Sequence, residues 1–357
     1  MNIFTKKIAN FEPEACGLDI SDLSVKAVKI DHQGSKQHVA GFGQGPVAPG
    51  SVSDGIITKP ENVVQGIHAA FANAVPKKIK TKRVVCSLPE VKAFLRIINI
   101  PQMSEKEAHE AVKWEMEANI PMSIDQVYYD WQAVPFNFSR DKSKMSVLVV
   151  AVAKTIVDQY LDVVHQAGLE VAALEIESIA QARSLLNQKE KKMTTLIVDI
   201  GDRRTGFLIA YDNVPCFTSS IPISAQSMTE AIAKSLKLSQ KDAEVAKVSY
   251  GIGSALKNDH VFKAVQPVLE NFSSEIKKSI DFYLTGLRYS SSIDTIVLCG
   301  GGARTKGIVP YLSRRVGKNI ILGNPWTNMS LERSIPPIDR EGSVQYSAAV
   351  GLALRNL

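Results

Sequence analysis

Residues 17–30 read GLDISDLSVKAVKI. Leu18 and Ile20, followed by Val25, Ala27, Val28 and Ile30, mark an apolar strand, a short turn and a second strand. Asp19 interrupts the pattern, because a carboxylate near the end of a buried strand is costly unless something pairs with its charge. A second copy of the motif supplies a context for it. LDISDLSVKAVKIDHQG begins at Leu18 and VDIGDRRTGFLIAYDNV begins at Val198. Each has an apolar residue, Asp, Ile, a small residue, Asp and a polar turn, then an apolar strand closing on a second turn. Asp19 and Asp199 lie 180 residues apart, about half of the 357-residue chain. That spacing predicts two related lobes, each opening with the same hairpin.

Placed face to face, the hairpins make chemical sense. Turns of small and hydroxyl residues present backbone N–H groups that form an anion-binding nest. An aspartate at each strand end suits a hydrated Mg²⁺ held between the lobes, and Lys26 reaches a phosphate oxygen as a point charge. Either hairpin alone reads as a structural turn; the pair is what points to a ligand. A third element fits: Ile296–Val297–Leu298–Cys299 is an apolar strand running into Gly300–Gly301–Gly302–Ala303 and a helix. Glycines there let backbone approach a flat ring, and the helix N-terminus favours anions. The three elements together predict a nucleotide site, with adenosine at the glycines.

Composition narrows the alternatives. With 45% apolar and 22% charged residues, the chain reads as an ordinary globular protein large enough for two lobes. Its longest apolar runs are too short to cross a membrane, and the start MNIFTKKIANFEPEACG has too short an apolar stretch for a signal peptide. A cytosolic protein is expected. The net charge of +6 is modest, and the basic run Lys77–Arg83 lacks the interleaved aromatics of a nucleic-acid platform. It reads as a solvated face, with an anionic contact such as lipid headgroups as the alternative. Cys16, Cys86, Cys216 and Cys299 form no C-x-x-C pair and read as buried thiols. The six histidines are scattered without metal-ligand spacing, and no catalytic triad or G-x-S-x-G is readable.

Along the chain, the first hairpin closes near Asp31–Gly34, and the Gly/Pro-rich stretch 41–55 reads as loop and edge structure. A helix is expected over 60–75, a strand over 83–88, and then a compact unit with signals of its own. Phe94–Ile100 is strand-like. Ser104 opens a capping box with Glu107, and the helix behind it runs to about Asn119, stopped by Pro121. Strands follow at 127–134 and 145–153, then a helix over 156–167 ending at Gly168. The expected architecture is α/β: a first lobe, 1–190, with a small α+β subdomain inserted at about 88–160, and a second lobe, 191–357. The charged break Asn187–Lys192 marks their boundary. In the second lobe, helices are expected over 225–236, after Ser239 and over 262–289. A last helix, 344–355, is available to pack back on the first lobe.

Hairpin, hairpin and glycine strand, in this order, resemble the actin-like ATPase superfamily, and within it the PilM family of type IV pilus assembly proteins. The stretch SLPEVKAFLRIINIPQMSEKEAHEAVKWEMEANIPMSIDQVYYDWQAV at 87–134, with its IP-x-M-S-x-x-E and E-x-x-x-x-IP-M pattern, is the most specific part. LVVAVAKTIVDQYLDVVHQAGLEVAALEIES at 148–178, DAEVAK at 242–247, LCGGGARTKGIVPYL at 298–312 and QYSAAVGLALR at 345–355 extend it over nearly the whole chain. The resemblance implies a cytoplasmic, FtsA-like protein that binds ATP with Mg²⁺ between its lobes and is at most a slow ATPase, since no residue stands out to activate water. It implies a partner, the cytoplasmic tail of the inner-membrane protein PilN, lying between the first lobe's core and the inserted subdomain. The chain would then be a scaffold, with a homo-oligomeric ring as one form. It would link the inner-membrane complex to the pilus motor and sit at the membrane only through its partner, without nucleic acid.

By the same resemblance Asp19, Ser21, Ser24 and Lys26 form the first phosphate hairpin, and Asp199, Gly201 and Thr205 the second, with Mg²⁺ held through water at Asp19 and Asp199. Glu244, Lys247, Gly300, Gly301, Gly302 and Lys306 surround the adenosine. The chain departs from the family pattern twice. Ser21 stands where a glycine usually follows Asp-Ile, and Gly201–Asp202–Arg203–Arg204–Thr205 replaces small hydroxyl residues in the second turn. Asp22 and Asp202 thereby bring negative charge near the expected phosphates, which the arginines or Mg²⁺ must offset. Two alternatives share parts of this signature: a sugar-kinase-type phosphotransferase, and the cytoplasmic part of a GspL-like secretion protein.

Overall fold

Alternating apolar residues build the first hairpin. In the computed structural model, which describes residues 15–33, 36–120, 122–138, 141–252, 259–286, 292–330 and 337–355, it comprises β1 (Cys16–Ile20) and β2 (Ser24–Gln33). Its six apolar side chains are at most 1% exposed. The chain continues through β3 (Lys36–Pro46), a two-residue-strand hairpin of β4 (Val52–Ser53) and β5 (Ile56–Ile57), α1 (Pro60–Ala72), β6 (Val75–Pro76) and β7 (Arg83–Leu88). The inserted unit holds β8 (Ala93–Pro101), α2 (Glu105–Asn119), β9 (Val127–Ala133) and β10 (Lys144–Ala153). Then come α3 (Lys154–Gln166), β11 (Glu170–Ile176) and α4 (Glu177–Leu185). The second half runs through β12 (Thr194–Ile200), β13 (Thr205–Tyr211), β14 (Val214–Ile221), α5 (Ala225–Leu236), α6 (Gln240–Tyr250) and α7 (Asp259–Asp281). It closes with β15 (Thr295–Cys299), α8 (Ile308–Val316), β16 (Ile320–Leu322), α9 (Arg340–Ser343) and α10 (Ser347–Ala353).

The repeated motif becomes a repeated topology. One sheet has the order β11-β7-β1-β2-β3-β6, and the other contains β16-β15-β12-β13-β14. Strand for strand these match, down to the antiparallel hairpin (β1 with β2, β12 with β13) and its parallel neighbour (β7 beside β1, β15 beside β12). Each sheet buries its own core. One gathers Leu18, Ile20, Val25, Ile67 and Tyr160, and the other Val198, Ile200, Phe207, Phe272 and Tyr283. The fold is α/β with two related lobes.

The inserted unit has a third core around Ile100, Val112, Met116 and Val147, beneath a helix whose capping box joins Ser104 and Glu107 as expected. Its strands do not stand apart. They extend the second sheet beyond β14 in the order β8-β10-β9, joined at the Phe217–Arg96 pairing. The Arg96 guanidinium lies 5.2 Å from the centre of the Phe217 ring, so a cation–aromatic contact reinforces this seam.

Other readings are adjusted by packing. The glycine-rich residues after 40, expected as loop and edge, form most of β3. Gly43 and Gly45 are there because α1 lies almost on the strand: a Cβ on Gly43 would come 2.0 Å from the Ala70 carbonyl oxygen, and one on Gly45 would come 1.9 Å from that of Gly66. The long helix expected over 262–289 is α7 followed by a wider π-type turn over Phe282–Gly286; residues 287–289 lie outside the described ones, as do Gly34 and Pro121. The last helix is shorter than expected, because a 3₁₀ turn, Val344–Tyr346, precedes α10. Among the described residues no helix is long and apolar enough to cross a membrane.

Helix α10 packs on β1 and on α4. The Gly351 carbonyl accepts from Arg183 at 2.8 Å, and the Ser347 carbonyl accepts from Ser184 at 2.8 Å. A Cβ on Gly351 would meet the Ala180 carbonyl oxygen at 1.8 Å. Gly351→Ala must therefore push the two helices apart, and we expect it to lower the unfolding free energy by about 2–3 kcal/mol. Urea denaturation checks this; an unchanged midpoint would contradict the packing described.

Candidate functional site

The two hairpins meet the end of β15 at one cavity. Asp19, Ser21, Ser24 and Lys26 line it from the first half, and Asp199, Gly201, Gly300 and Gly301 from the second. Asp19 and Lys26 are directly opposite in the β1–β2 register, so their side chains share a face. The Lys26 ammonium donates to the Ser24 hydroxyl at 2.9 Å and approaches that of Ser21 at 3.5 Å. The turn is closed by the Ser21 N–H on the Ser24 carbonyl at 2.9 Å, with the Ser21 hydroxyl donating to the same oxygen at 3.1 Å. Ser21 therefore turns its hydroxyl to the turn itself, which is how a residue larger than glycine is accommodated.

Asp199 occupies the matching place on β12. Gln181 of α4 donates to its Oδ2 at 2.6 Å. Gly300 is held at φ +80°, and a Cβ there would stand 2.1 Å from Asp199 Oδ1, so only glycine lets β15 end against the aspartate. The second turn is tied down by its backbone. The Gly201 N–H donates to the Arg204 carbonyl at 2.9 Å, while the Gly201 and Asp202 carbonyls accept from Ala225 and Gln226 at the start of α5.

Electrostatics at the cavity are dominated by crowded acids. Seven carboxyl side chains line it against three cations, Lys26, Arg203 and Arg204. Burial raises the pKa of Asp19, with Lys26 and a Ser87 hydrogen bond opposing. Burial also pushes Asp199 up to about 6; the Gln181 hydrogen bond and Lys26 oppose, and the charges of Asp19 and Asp202 add to the rise. Glu177, the first residue of α4, is driven well above the carboxylate range by burial and then by Asp19, Asp199, Glu90 and Asp22. Such a surplus of facing carboxyls suits a hard cation, whose charge would restore their ionised forms. No three metal-ligating side chains converge among the described residues, so a cation here would draw on the two aspartates and on oxygens from water or ligand.

The remaining sequence candidates are placed elsewhere. Thr205 is fully buried and donates to the Ile223 carbonyl at 2.7 Å. Gly302 packs on Ile200. The Lys247 ammonium is buried and bonds to the Ala225 carbonyl at 3.1 Å, Thr229 at 2.8 Å and Glu244 at 2.7 Å, joining α6 to α5. Lys306 reaches the Ser249 carbonyl at 3.4 Å, and its own carbonyl accepts from Ile252. None of these five (Glu244 included) lines the cavity. Conversely, sequence reasoning did not single out Glu90, Glu177 or Gln181, which do. Glu177 in a first helical turn looks like an ordinary dipole partner, and Gln181 like any helix residue. Their one signal is that they follow the ends of two paired strands, Glu90 after β7 and the other two after β11.

Comparison with known proteins agrees with this fold. The family model described as type IV pilus assembly protein PilM matches residues 17–357. A solved PilM-PilN type IV pilus biogenesis complex superposes with a TM-score of 0.80 at 27% identity, over 96% of this chain and 98% of that one. MreB5 of Spiroplasma citri bound to ADP shares the fold, with a TM-score of 0.54 at 15% identity over 94% of both chains. Among curated proteins, the cell division protein FtsA of Enterococcus hirae is 26% identical over 349 residues, 87% of this chain and 78% of that protein. FtsA of Enterococcus faecalis is 26% identical over 66% of this chain, which spans 57% of its length.

The titration of Asp199 can be checked directly. Its pKa is higher folded than unfolded, so the native state binds the extra proton, and stability is lost as pH rises from near 4 through about 6. In cation- and nucleotide-free buffer, Asp199→Asn is expected to flatten that fall and to be more stable than wild type at pH 7.5 by roughly 2 kcal/mol. At pH 4 the two should coincide. Parallel urea curves at several pH values would show a constant gap if Asp199 had an ordinary pKa.

Proposed function

The chain belongs to the family of type IV pilus assembly protein PilM, and on that premise we propose that it is an actin-like, nucleotide-binding scaffold of pilus assembly. It binds ATP with Mg²⁺ in the cleft between the hairpins, and it holds the cytoplasmic tail of an inner-membrane PilN partner. The tail lies between the first lobe's core and the inserted subdomain at about 88–160, so the protein works in the cytoplasm, at the inner membrane through that partner. There it connects the membrane complex to the pilus motor, with a homo-oligomeric ring as one arrangement. The observation that carries the partner reading is the likeness to the solved PilM-PilN complex over nearly the full length of both chains. The family match favours this assembly role over a sugar-kinase-type phosphotransferase.

At the nucleotide, the roles divide by hairpin. Lys26 and the N–H groups of both turns hold phosphate oxygens, and Asp19 and Asp199 orient Mg²⁺ through its water shell. When bound, Mg²⁺ neutralises charge shared by the aspartates and phosphates. Gly300 and Gly301 let backbone approach the adenosine, and Gly302 sets their position by packing on Ile200. The internal bonds of Lys247 leave the half-exposed Glu244 carboxylate as the better ribose contact from α6. Thr205 and Lys306 support the site through the backbone contacts of their turns. No residue of the cleft stands out to activate water, so the protein is at most a slow ATPase.

Thermal melting with each ligand tests both halves separately. At a hundredfold excess over Kd, a ligand confined to the native state adds about 2.7 kcal/mol, a rise of a few degrees. A synthetic PilN tail and Mg-ATP should each raise the melting temperature, and together more than either alone. No shift with saturating tail would overturn the partner assignment; no shift with Mg-ATP would overturn the cleft assignment.

A further inference from the structure

The second turn carries two arginines, and the structure shows how they are held. Arg204 donates through Nη1 to Asp54 Oδ1 at 3.2 Å and through Nη2 to the Ser220 hydroxyl at 3.1 Å. Asp54 comes from the other half of the chain. It and Gly55 form the β4–β5 turn with both residues at positive φ, 48° and 75°, the two-residue geometry of a tight hairpin. The Nε atoms of Arg203 and Arg204 are buried without a hydrogen-bond partner, although both residues line the cavity. A buried, unused guanidinium donor is unfavourable unless some acceptor arrives. Asp22, also at the cavity, feels both arginines.

Position along the cavity gives the acceptor's identity. Gly300 and Gly301 stand at one side, and the Cβ position of Gly301 is 3.9 Å from Asp202 Oδ1. Arg203 and Arg204 follow Asp202, and Arg204 ends on Asp54. A nucleotide whose adenosine lies against the glycines therefore runs its phosphates along this turn and brings the last one to the arginines. The Arg204–Asp54 pair is a weak holder, since the side chains are 31% and 60% exposed and the contact is single-pointed. A phosphate dianion can take two guanidinium donors at once, which a single carboxylate oxygen at 3.2 Å does not.

We propose that Arg203 and Arg204 form a clamp for the terminal phosphate, with Asp54 as a built-in competitor that occupies Arg204 until a nucleoside triphosphate displaces it. The clamp makes the cleft select triphosphate over diphosphate. It also accounts for the charges of Asp22 and Asp202: two added acids are matched by two added bases, and the phosphate enters a turn of balanced charge. This inference rests on the reading of the cleft as a nucleotide site.

Isothermal titration with Mg-ATP and Mg-ADP separates the two claims. Wild type should bind ATP about tenfold more tightly than ADP, the worth of one or two charge-assisted hydrogen bonds. Arg203→Gln and Arg204→Gln should each weaken ATP by about tenfold and leave ADP within about twofold. Asp54→Asn, which frees Arg204 without removing a cation, should tighten ATP about threefold and leave ADP unchanged. Equal binding of ATP and ADP by wild type, or arginine variants that lose both alike or neither, overturns the clamp while the nucleotide site stands. A wild type that binds neither nucleotide overturns the nucleotide site and the clamp with it.

Discussion

Asp199 feels the charge of Asp19 because two strand ends, far apart in sequence, face one cleft. Much of the architecture bears on this confrontation. Each aspartate is carried by the strand that pairs both with its hairpin partner and with a parallel neighbour, so its position is set from two sides. Gly300 must be glycine for β15 to end against Asp199, and Gln181 reaches Asp199 from α4, the helix that α10 covers. Lys26 is the offsetting charge that the two aspartates share, and it opposes the raised pKa of both.

The duplicated sheets differ in one respect that shapes the molecule. In the first, β3 is followed at the edge by the two-residue β6; in the second, the corresponding β14 receives β8 and, through it, the inserted subdomain. An unpaired central-length strand is a liability, and the insertion closes it. A segment that leaves the first half of the chain thus becomes part of the second half's sheet, held there by the Phe217–Arg96 pairing, an arginine–aromatic contact and the edge-on packing of Phe136 and Phe138 against Tyr211 of β13. This seam joins the inserted unit directly to the second phosphate hairpin, through Tyr211, and to β14, the strand that follows it.

Much of the fold was legible because its cues are local. Period-two apolarity marked both hairpins, and a serine three residues before a glutamate marked the capped helix of the insertion. Glycines 43 and 45 misled because glycine signals either a turn or close approach, and only the position of α1 distinguishes them; at Gly41 the close neighbour is the Lys77 carbonyl. At the cavity, Asp19, Lys26, Asp199 and Gly300 stood out through the repeat and the glycine run. Glu177 did not, since its raised pKa comes from burial and then from acids 22 and 158 residues away in sequence. The bond between Arg204 and Asp54 spans 150 residues, and Lys247, beyond its i,i+3 pair with Glu244, bonds to Thr229 and Ala225 of α5; none of these distant partners has a sequence signature.

The central claim is that both hairpins grip one ligand from opposite sides. Hydrogen–deuterium exchange with and without Mg-ATP, read peptide by peptide, addresses it most directly. Binding should slow exchange in 17–26 and in 199–206 together, at the same nucleotide concentration. Protection at one hairpin alone, or only at segments away from the cavity, would contradict it.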